Sequence, residues 1–204
     1  SIDAPADFRR VNVQGTAYLA RPAAAAEVKR LVFLSSVKVN GEASARPLTE
    51  ADAPRPEDAY TISKWEAEQA LAQVAKATGL EYVILRPPLV YGPGVRANFL
   101  RLIRVVARGV PLPLGCVQNL RSLVYVGNLV DAIGVCLTHP VLANRTYLVS
   151  DGEDLSTPQL VRKLAAAIGV SPRLWPVPVA WLRLAAAVAG QRAALDRLVG
   201  SLQI

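Results

Sequence analysis

An open α/β fold built on a parallel sheet is the class this sequence predicts, and three observations predict it. Two short apolar runs, Leu31 to Ser35 and Tyr82 to Arg86, have the length and composition of buried strands. Between them, Glu57 to Ala77 carries apolar side chains at helical spacing, which makes a strand-helix-strand unit with parallel, neighbouring strands and a right-handed crossover. Each run also breaks at its carboxyl end, the first into Ser35-Ser36 and the second into Pro87-Pro88. In open α/β sheets that edge is where ligands bind.

The elements follow in order. Pro5 precedes a helix expected over Ala6 to Ala26, and Pro22 inside it should kink the helix or end it early, because proline removes a backbone bond. Asn12 is mildly disfavoured in a helix interior, which hints at a local task. Val37 to Glu57, rich in Pro, Glu, Asp and Ala, is a loop long enough to be functional. The next helix buries Trp65, Ala70, Leu71 and Val74 at helical intervals and stops at Gly79, a good C-cap. Tyr91-Gly92-Pro93-Gly94 is turn chemistry. Asn98 to Arg108 is an amphipathic helix, Val110 to Gly115 an extended linker, and Ser122 to Val126 a short alternating strand. Asn128 is a favoured N-cap for a helix running to Leu137, and His139 suits its C-terminal end. Asn144 to Val149 is a strand, and a polar turn leads to a helix from Ser156 to Ile168 with Pro158 in its first turn. Leu174 to Pro178 leaves a further strand open, and helices follow over Trp181 to Ala189 and Ala193 to Leu198.

Composition excludes several function classes. The 204 residues carry a net charge of +7, but the basic residues are scattered, and the stripe Arg101, Arg104, Arg108 is better read as a solvated face than as a nucleic-acid patch. A basic pocket for a diphosphate is a simpler use of the charge. Cys116 and Cys136 are too few and too unpatterned for a disulfide framework or a metal site. The most apolar stretch, Val177 to Gly190, contains Arg183 and is too short to span a bilayer, so neither nucleic acid nor membrane is an expected partner. No signal peptide is evident, which makes the cytoplasm the expected location.

Chemistry concentrates on Tyr60 and Lys64, which lie four apart and so share a helix face. A nearby cation lowers a tyrosine pKa from about 10 because it favours the phenolate. A phenol tuned in this way exchanges protons with an alcohol or a carbonyl. Ser36 adds a hydroxyl at the first strand's tip, 24 positions before Tyr60.

Five blocks in order carry a family resemblance: Val11 to Thr16, Phe33 to Glu42, Tyr60 to Lys64, Leu85 to Gly94, and Arg121 to Asp131. They resemble the extended short-chain dehydrogenase/reductases, and within them the NAD-dependent epimerase/dehydratase group that acts on nucleotide sugars. The resemblance implies the C-terminal part of a doubly wound parallel (Rossmann) sheet with a smaller α/β substrate-binding lobe. Residues 1–93 would form a partial dinucleotide-binding domain. Residues 94–204 would form mainly the lobe, with the 128–139 helix free to pack back on the first part. The chain holds no methionine, opens on Ser1, and has no glycine-rich phosphate turn, so it is read as lacking the family's first third.

The resemblance also implies roles. Tyr60 is the acid/base, Lys64 holds ribose hydroxyls and lowers the tyrosine pKa, and Ser36 hydrogen-bonds the reacting oxygen of the substrate. Asn12, Leu34 and Pro87 join Tyr60 and Lys64 around NAD or NADP, the residue that would choose between the two lying in the missing third. Arg121 and Asn98 match residues that contact the diphosphate of a nucleotide sugar, for which a planar guanidinium is well suited. No metal is implied, and a homodimer is left open. The dehydratase branch carries Asp-Glu after its serine or threonine, where this chain has Val37-Lys38, so dehydration is disfavoured. Nucleotide-sugar epimerase is the leading reading. The rivals are a keto-sugar reductase, an oxidoreductase on a non-sugar alcohol, and a non-catalytic scaffold.

Overall fold

The two apolar runs lie side by side as the spacing requires. In the computed structural model, which describes residues 5–204, β1 (Arg30–Leu34) and β2 (Glu81–Arg86) pair in parallel from Arg30↔Glu81 to Leu34↔Leu85. Helix α3 (Ala59–Thr78) connects them. Residues 1–4 of the expected first domain lie outside the described residues. One sheet face, with Leu31, Phe33, Tyr82 and Ile84, packs on Ala20, Leu71, Val74 and Leu80. The other, with Val32, Val83 and Leu85, packs on Leu129, Ile133 and Cys136. Strands covered on both faces account for the continuous apolar runs in the sequence.

Helix α3 starts and stops on local chemistry. The Asp58 carboxylate accepts from the Thr61 amide at 2.7 Å, and the Thr61 hydroxyl reaches back toward the Asp58 amide at 3.1 Å. Gly79 ends the helix at φ 80°, a left-handed conformation that favours glycine. Trp65, expected in the core, is only half-buried, with its ring 5.6 Å from the Arg86 guanidinium carbon. The positive group lies over the ring, so the indole borders a charged site instead of filling the interior.

The expected N-terminal helix is three consecutive pieces: α1 (Pro5–Phe8), a π-helical segment (Arg9–Gln14) and α2 (Gly15–Ala25). Pro22 does not end it early. The helix continues to Ala25, and Ala26 donates to the Pro22 carbonyl at 2.9 Å. The bond that proline forfeits would have gone to Tyr18, which is exposed to water.

Beyond β2 the chain forms a parallel pair, β3 (Leu89–Tyr91) with β4 (Leu123–Tyr125). It also returns to the main sheet, where β5 (Arg145–Leu148) pairs in parallel with β2 and gives the order β1-β2-β5. Both β5 and α5 (Val126–Thr138), which supplies Leu129 and Cys136, complete the first unit because β2 needs a second neighbour and a cover. The smaller core brings Val106 and Leu102 of α4 (Ala97–Ala107) onto Val161 and Ala165 of α6 (Thr157–Ile168).

Two local expectations are corrected. Helix α5 begins at Val126, so Asn128 is not its N-cap; its side-chain amide donates to Asp151 at 2.8 Å, and the cap comes from that distant carboxylate, which accepts from the backbone amide of Tyr125 at 3.0 Å. Leu174 to Pro178 makes only a single bridge, Leu174 with Leu112. Pro176 and Pro178 have no amide to extend a ladder.

Candidate active site

Ser36 follows β1 directly, and the amides on either side of it are fixed. Ser35 donates to the Leu85 carbonyl at 2.7 Å and Val37 donates to the Pro87 carbonyl at 3.0 Å. The Ser36 hydroxyl accepts from the Lys38 amide at 3.3 Å as a short 3-10 turn begins. Pro87 is thus buried at the tip of β2, with its carbonyl holding the Ser36 turn.

Lys64 reaches the same tip from α3. Its Nζ donates to the Leu34 carbonyl at 2.6 Å and sits 4.5 Å from the centre of the Phe33 ring. Burial lowers the Lys64 pKa, while Glu68 acts the other way. Tyr60, one turn earlier, is partly exposed, with its ring edge-on to Phe8 at 5.8 Å. Burial pushes its phenol above the usual value and the Asp58 charge adds to that. The expected lowering by Lys64 does not appear, because the ammonium is directed to a carbonyl and a ring and because Asp58 opposes a phenolate.

Asn12 lies in the π segment and donates to the Ser63 hydroxyl at 2.9 Å; Ser63 in turn donates to the Tyr60 carbonyl at 2.7 Å. Arg9, on the same segment, makes a two-pronged pair with Glu66 at 2.9 and 2.7 Å. π-helical turns often occur at functional sites, and this one clasps the turn of α3 that carries Tyr60. Asn12, Leu34, Tyr60 and Lys64 are thereby joined through named bonds, with Ser36 two residues from the Leu34 carbonyl. Among the described residues no hydrogen bond joins the Ser36, Tyr60 and Lys64 side chains to one another.

The two residues expected at a substrate diphosphate are arranged otherwise. Asn98 is exposed in the first turn of α4. The Arg121 guanidinium donates to the carbonyls of Arg197 and Gly200, at the end of α8 (Arg192–Val199). Burial lowers the Arg121 pKa, and the Glu42 carboxylate partly offsets this. Glu42 also pairs with Lys38 at 2.9 Å, so one carboxylate relates the loop after Ser36 to Arg121. No direct bond brings Arg121 or Asn98 into the Tyr60 cluster among the described residues.

Two features escaped the sequence reading. Arg86 and Glu68, both almost wholly buried, form a two-pronged ion pair at 3.0 and 2.5 Å, and Arg86 also donates to Asn40 at 2.9 Å. A charge closing an apolar strand, and an acid one turn beyond Lys64, were the signals for it. The second is the Asp151 carboxylate, which accepts from Tyr91 at 2.9 Å besides capping α5. Burial raises the Asp151 pKa, but its partners Asn128, Tyr125 and Tyr91 reverse this to a net lowering.

A parallel sheet whose first strand ends in serine, crossed over by a Tyr-x-x-x-Lys helix, defines a class of protein that binds its ligands at strand tips. Residues 1–150 match the NAD dependent epimerase/dehydratase family, and the chain belongs to that family. It is 48% identical over 200 residues to a UDP-glucose 4-epimerase of Vibrio cholerae, covering 97% of this chain and 61% of the relative. It is 32% identical over 163 residues to an N-acetyl-α-D-glucosaminyl-diphospho-ditrans,octacis-undecaprenol 4-epimerase of Escherichia coli O157:H7, covering 78% of this chain and 48% of the relative. A crystal structure of the UDP-glucose 4-epimerase of Thermotoga maritima with UDP-glucose superposes with a TM-score of 0.72 at 26% identity, over 87% of this chain and 60% of that one. The chain thus spans about three fifths or less of these relatives' length.

Proposed function

We propose that this chain carries the catalytic groups of a nucleotide-sugar 4-epimerase that works through NAD, with a UDP-hexose as the substrate favoured by the Vibrio cholerae relative. The observation that carries the reading is the Lys64 bond to the Leu34 carbonyl, which ties the Tyr-x-x-x-Lys helix to the strand tip bearing Ser36.

The residues fit the nicotinamide-ribose end of a dinucleotide. Lys64 and the exposed Leu34 stand at the strand tip, and the buried Ser35 hydroxyl there has no hydrogen-bond partner among the described residues. Asn12 and Pro87 would support that end by holding the Tyr60 turn and the Ser36 turn. When bound, the dinucleotide supplies the hydride acceptor and donor.

Tyr60 then takes the proton of the sugar hydroxyl when that carbon is oxidised and returns it when the ketone is reduced. Ser36 donates a hydrogen bond to the reacting oxygen in both directions. With its pKa raised, the Tyr60 phenol holds its proton at neutral pH and is ready for the reductive half. The oxidative half needs the phenolate, so its rate rises with pH. Arg121 and Asn98 would take the diphosphate region, Arg121 exchanging its carbonyl partners for phosphate oxygens. Dehydration has no support at Val37, which is buried and apolar, or at Lys38, which is paired with Glu42.

The test is conversion of UDP-glucose to its C4 epimer by the full-length gene product with NAD, read by chromatography of the nucleotide sugars. Product formation that Tyr60→Phe abolishes is the expected result. No epimer after prolonged incubation, or equal formation by the variant, rejects the reading.

A further inference from the structure

Lys64 and Glu68 lie four apart on α3, a spacing at which a lysine and a glutamate share one helix face and can pair. They do not pair here. Among the described residues the Lys64 ammonium makes no ion pair; it donates to the Leu34 carbonyl and stands over the Phe33 ring. Glu68 is turned to Arg86 instead. Its carboxylate accepts from the guanidinium Nε at 3.0 Å and from Nη2 at 2.5 Å, so both oxygens are occupied. Glu68 is 1% and Arg86 4% exposed, so water does not stand in for either partner.

The guanidinium is itself held in place. Its Nη1 donates to the Asn40 side-chain oxygen at 2.9 Å, and the Asn40 amide nitrogen donates in turn to the Asp52 carbonyl at 3.0 Å. Asn40 closes the 3-10 turn that begins at Ser36. Arg86 ends β2 directly before Pro87, whose carbonyl holds the Val37 amide. Arg86 is thus anchored in the strand and on the Ser36 turn, and is aimed at Glu68 from both.

We propose that Arg86 is a positioning residue for Lys64: by occupying both oxygens of Glu68 it keeps the ammonium off that carboxylate and leaves it to the strand tip. Two cations compete for Glu68, one turn along the helix and across from the sheet. The planar fork wins because it takes two carboxylate oxygens at once, whereas an ammonium is a point charge. The competition is real, since burial lowers the Lys64 pKa and the Glu68 charge acts against that lowering. Arg86 has no hydrogen bond to Ser36, Tyr60 or Lys64 among the described residues, so it acts through Glu68. A buried ion pair often adds little stability over apolar side chains of similar volume. The value of this one lies in where it leaves Lys64. What Lys64 does at the tip rests on the function proposed above, but where it points does not.

The experiment compares the full-length wild type with Arg86→Met and with Arg86→Met combined with Glu68→Met, each checked for folding by circular dichroism. Competitive acetylation across pH, read by peptide mass spectrometry, gives the Lys64 pKa without turnover, and calorimetry gives the affinity for NAD. In Arg86→Met the ammonium should move to Glu68, so its pKa should rise and NAD binding should weaken roughly ten-fold. Removing Glu68 as well takes away the competing charge. The pKa should then fall to the wild-type value or below it, and NAD affinity should return to within about three-fold of wild type, although the bond to Asn40 stays broken. A merely structural role would leave the Lys64 pKa raised in both variants. Where Arg86→Met does not fold, Arg86→Lys replaces it, since its ammonium leaves one Glu68 oxygen to Lys64 and should give a smaller rise. An unchanged Lys64 titration in the folded single variant, with Glu68 taking up a proton instead, overturns the proposal. So does a double variant that keeps the raised pKa. A wild type that makes no epimer would reject the proposed function alone, because the titration is read without it.

Discussion

The β1-α3-β2 unit and the Arg121 side of the site hold their polar groups in opposite ways. In the first, the Lys64 ammonium and the main chain around Tyr60 and Ser36 are fixed by neighbours that a substrate need not displace. Lys64 rests on the Leu34 carbonyl, Asn12 clasps the Tyr60 turn through Ser63, and the amides flanking Ser36 are bonded to β2 and Pro87. On the other side, Asn98 is exposed and Arg121 is committed to main-chain carbonyls near the end of α8. Fixed geometry suits groups that move protons, because a small displacement costs rate. Exchangeable bonds suit a group that grips and releases a charged ligand. On the proposed roles, chemistry and binding would be held to different tolerances.

The largest expected effect tests how firmly the first unit is held. Glu68→Ala strands the Arg86 guanidinium beside Asn40 in the interior, and stranding one partner of a buried pair typically costs about 3–5 kcal/mol. Urea unfolding should show a loss of that size, while Arg121→Ala shows far less. Equal losses would erase the contrast. Next comes Tyr60→Phe, which keeps the ring against Phe8 and removes only the hydroxyl. Single-turnover hydride transfer, followed by nicotinamide absorbance, should slow by about 10² to 10⁴ while the melting temperature holds. Arg121→Ala comes third: the Michaelis constant for a UDP-hexose should rise about ten-fold or more, with kcat little changed. A fall in kcat with an unchanged KM would move Arg121 to the chemical side.

What was legible in the sequence divides along the same line. The β1-α3-β2 unit could be read because its determinants are local: two apolar runs, a helix between them that stops at Gly79, and Tyr60 one turn from Lys64. The direction of the Tyr60 pKa could not, since it depends on burial and on the Lys64 ammonium turning toward Leu34. The return of β5 to the main sheet, the Asp151 cap on α5 and the Arg121 bonds to residues 197 and 200 all join segments over 20 residues apart. No periodicity within any one segment encodes such contacts. The π turn around Asn12 falls between these cases. The mid-helix asparagine signalled a task, but the partner, Ser63, is 51 positions away.

The smallest effect separates two tasks of Asp58, which caps α3 and opposes a Tyr60 phenolate. Burial pushes the Asp58 carboxyl up, but the Thr61 amide and hydroxyl, with Lys38 and Arg197, bring the net shift downward. A depressed carboxyl contributes stability that is present above its unfolded value of about 3.9 and is lost as pH falls through the lower folded one. Asp58→Ala should therefore cost about 1 kcal/mol at pH 7 through the lost cap, with the gap to the wild type narrowing in acid. Asp58→Asn keeps a capping oxygen, so its stability at pH 7 should stay closer to the wild type. Both variants remove the charge that raises the Tyr60 pKa, so the phenolate should form at lower pH in each. The oxidative half-reaction should then begin its rise at lower pH in both, whatever their stability. If Asp58→Asn leaves that pH profile unmoved, burial alone sets the Tyr60 pKa and the cap has no electrostatic hold on the phenol.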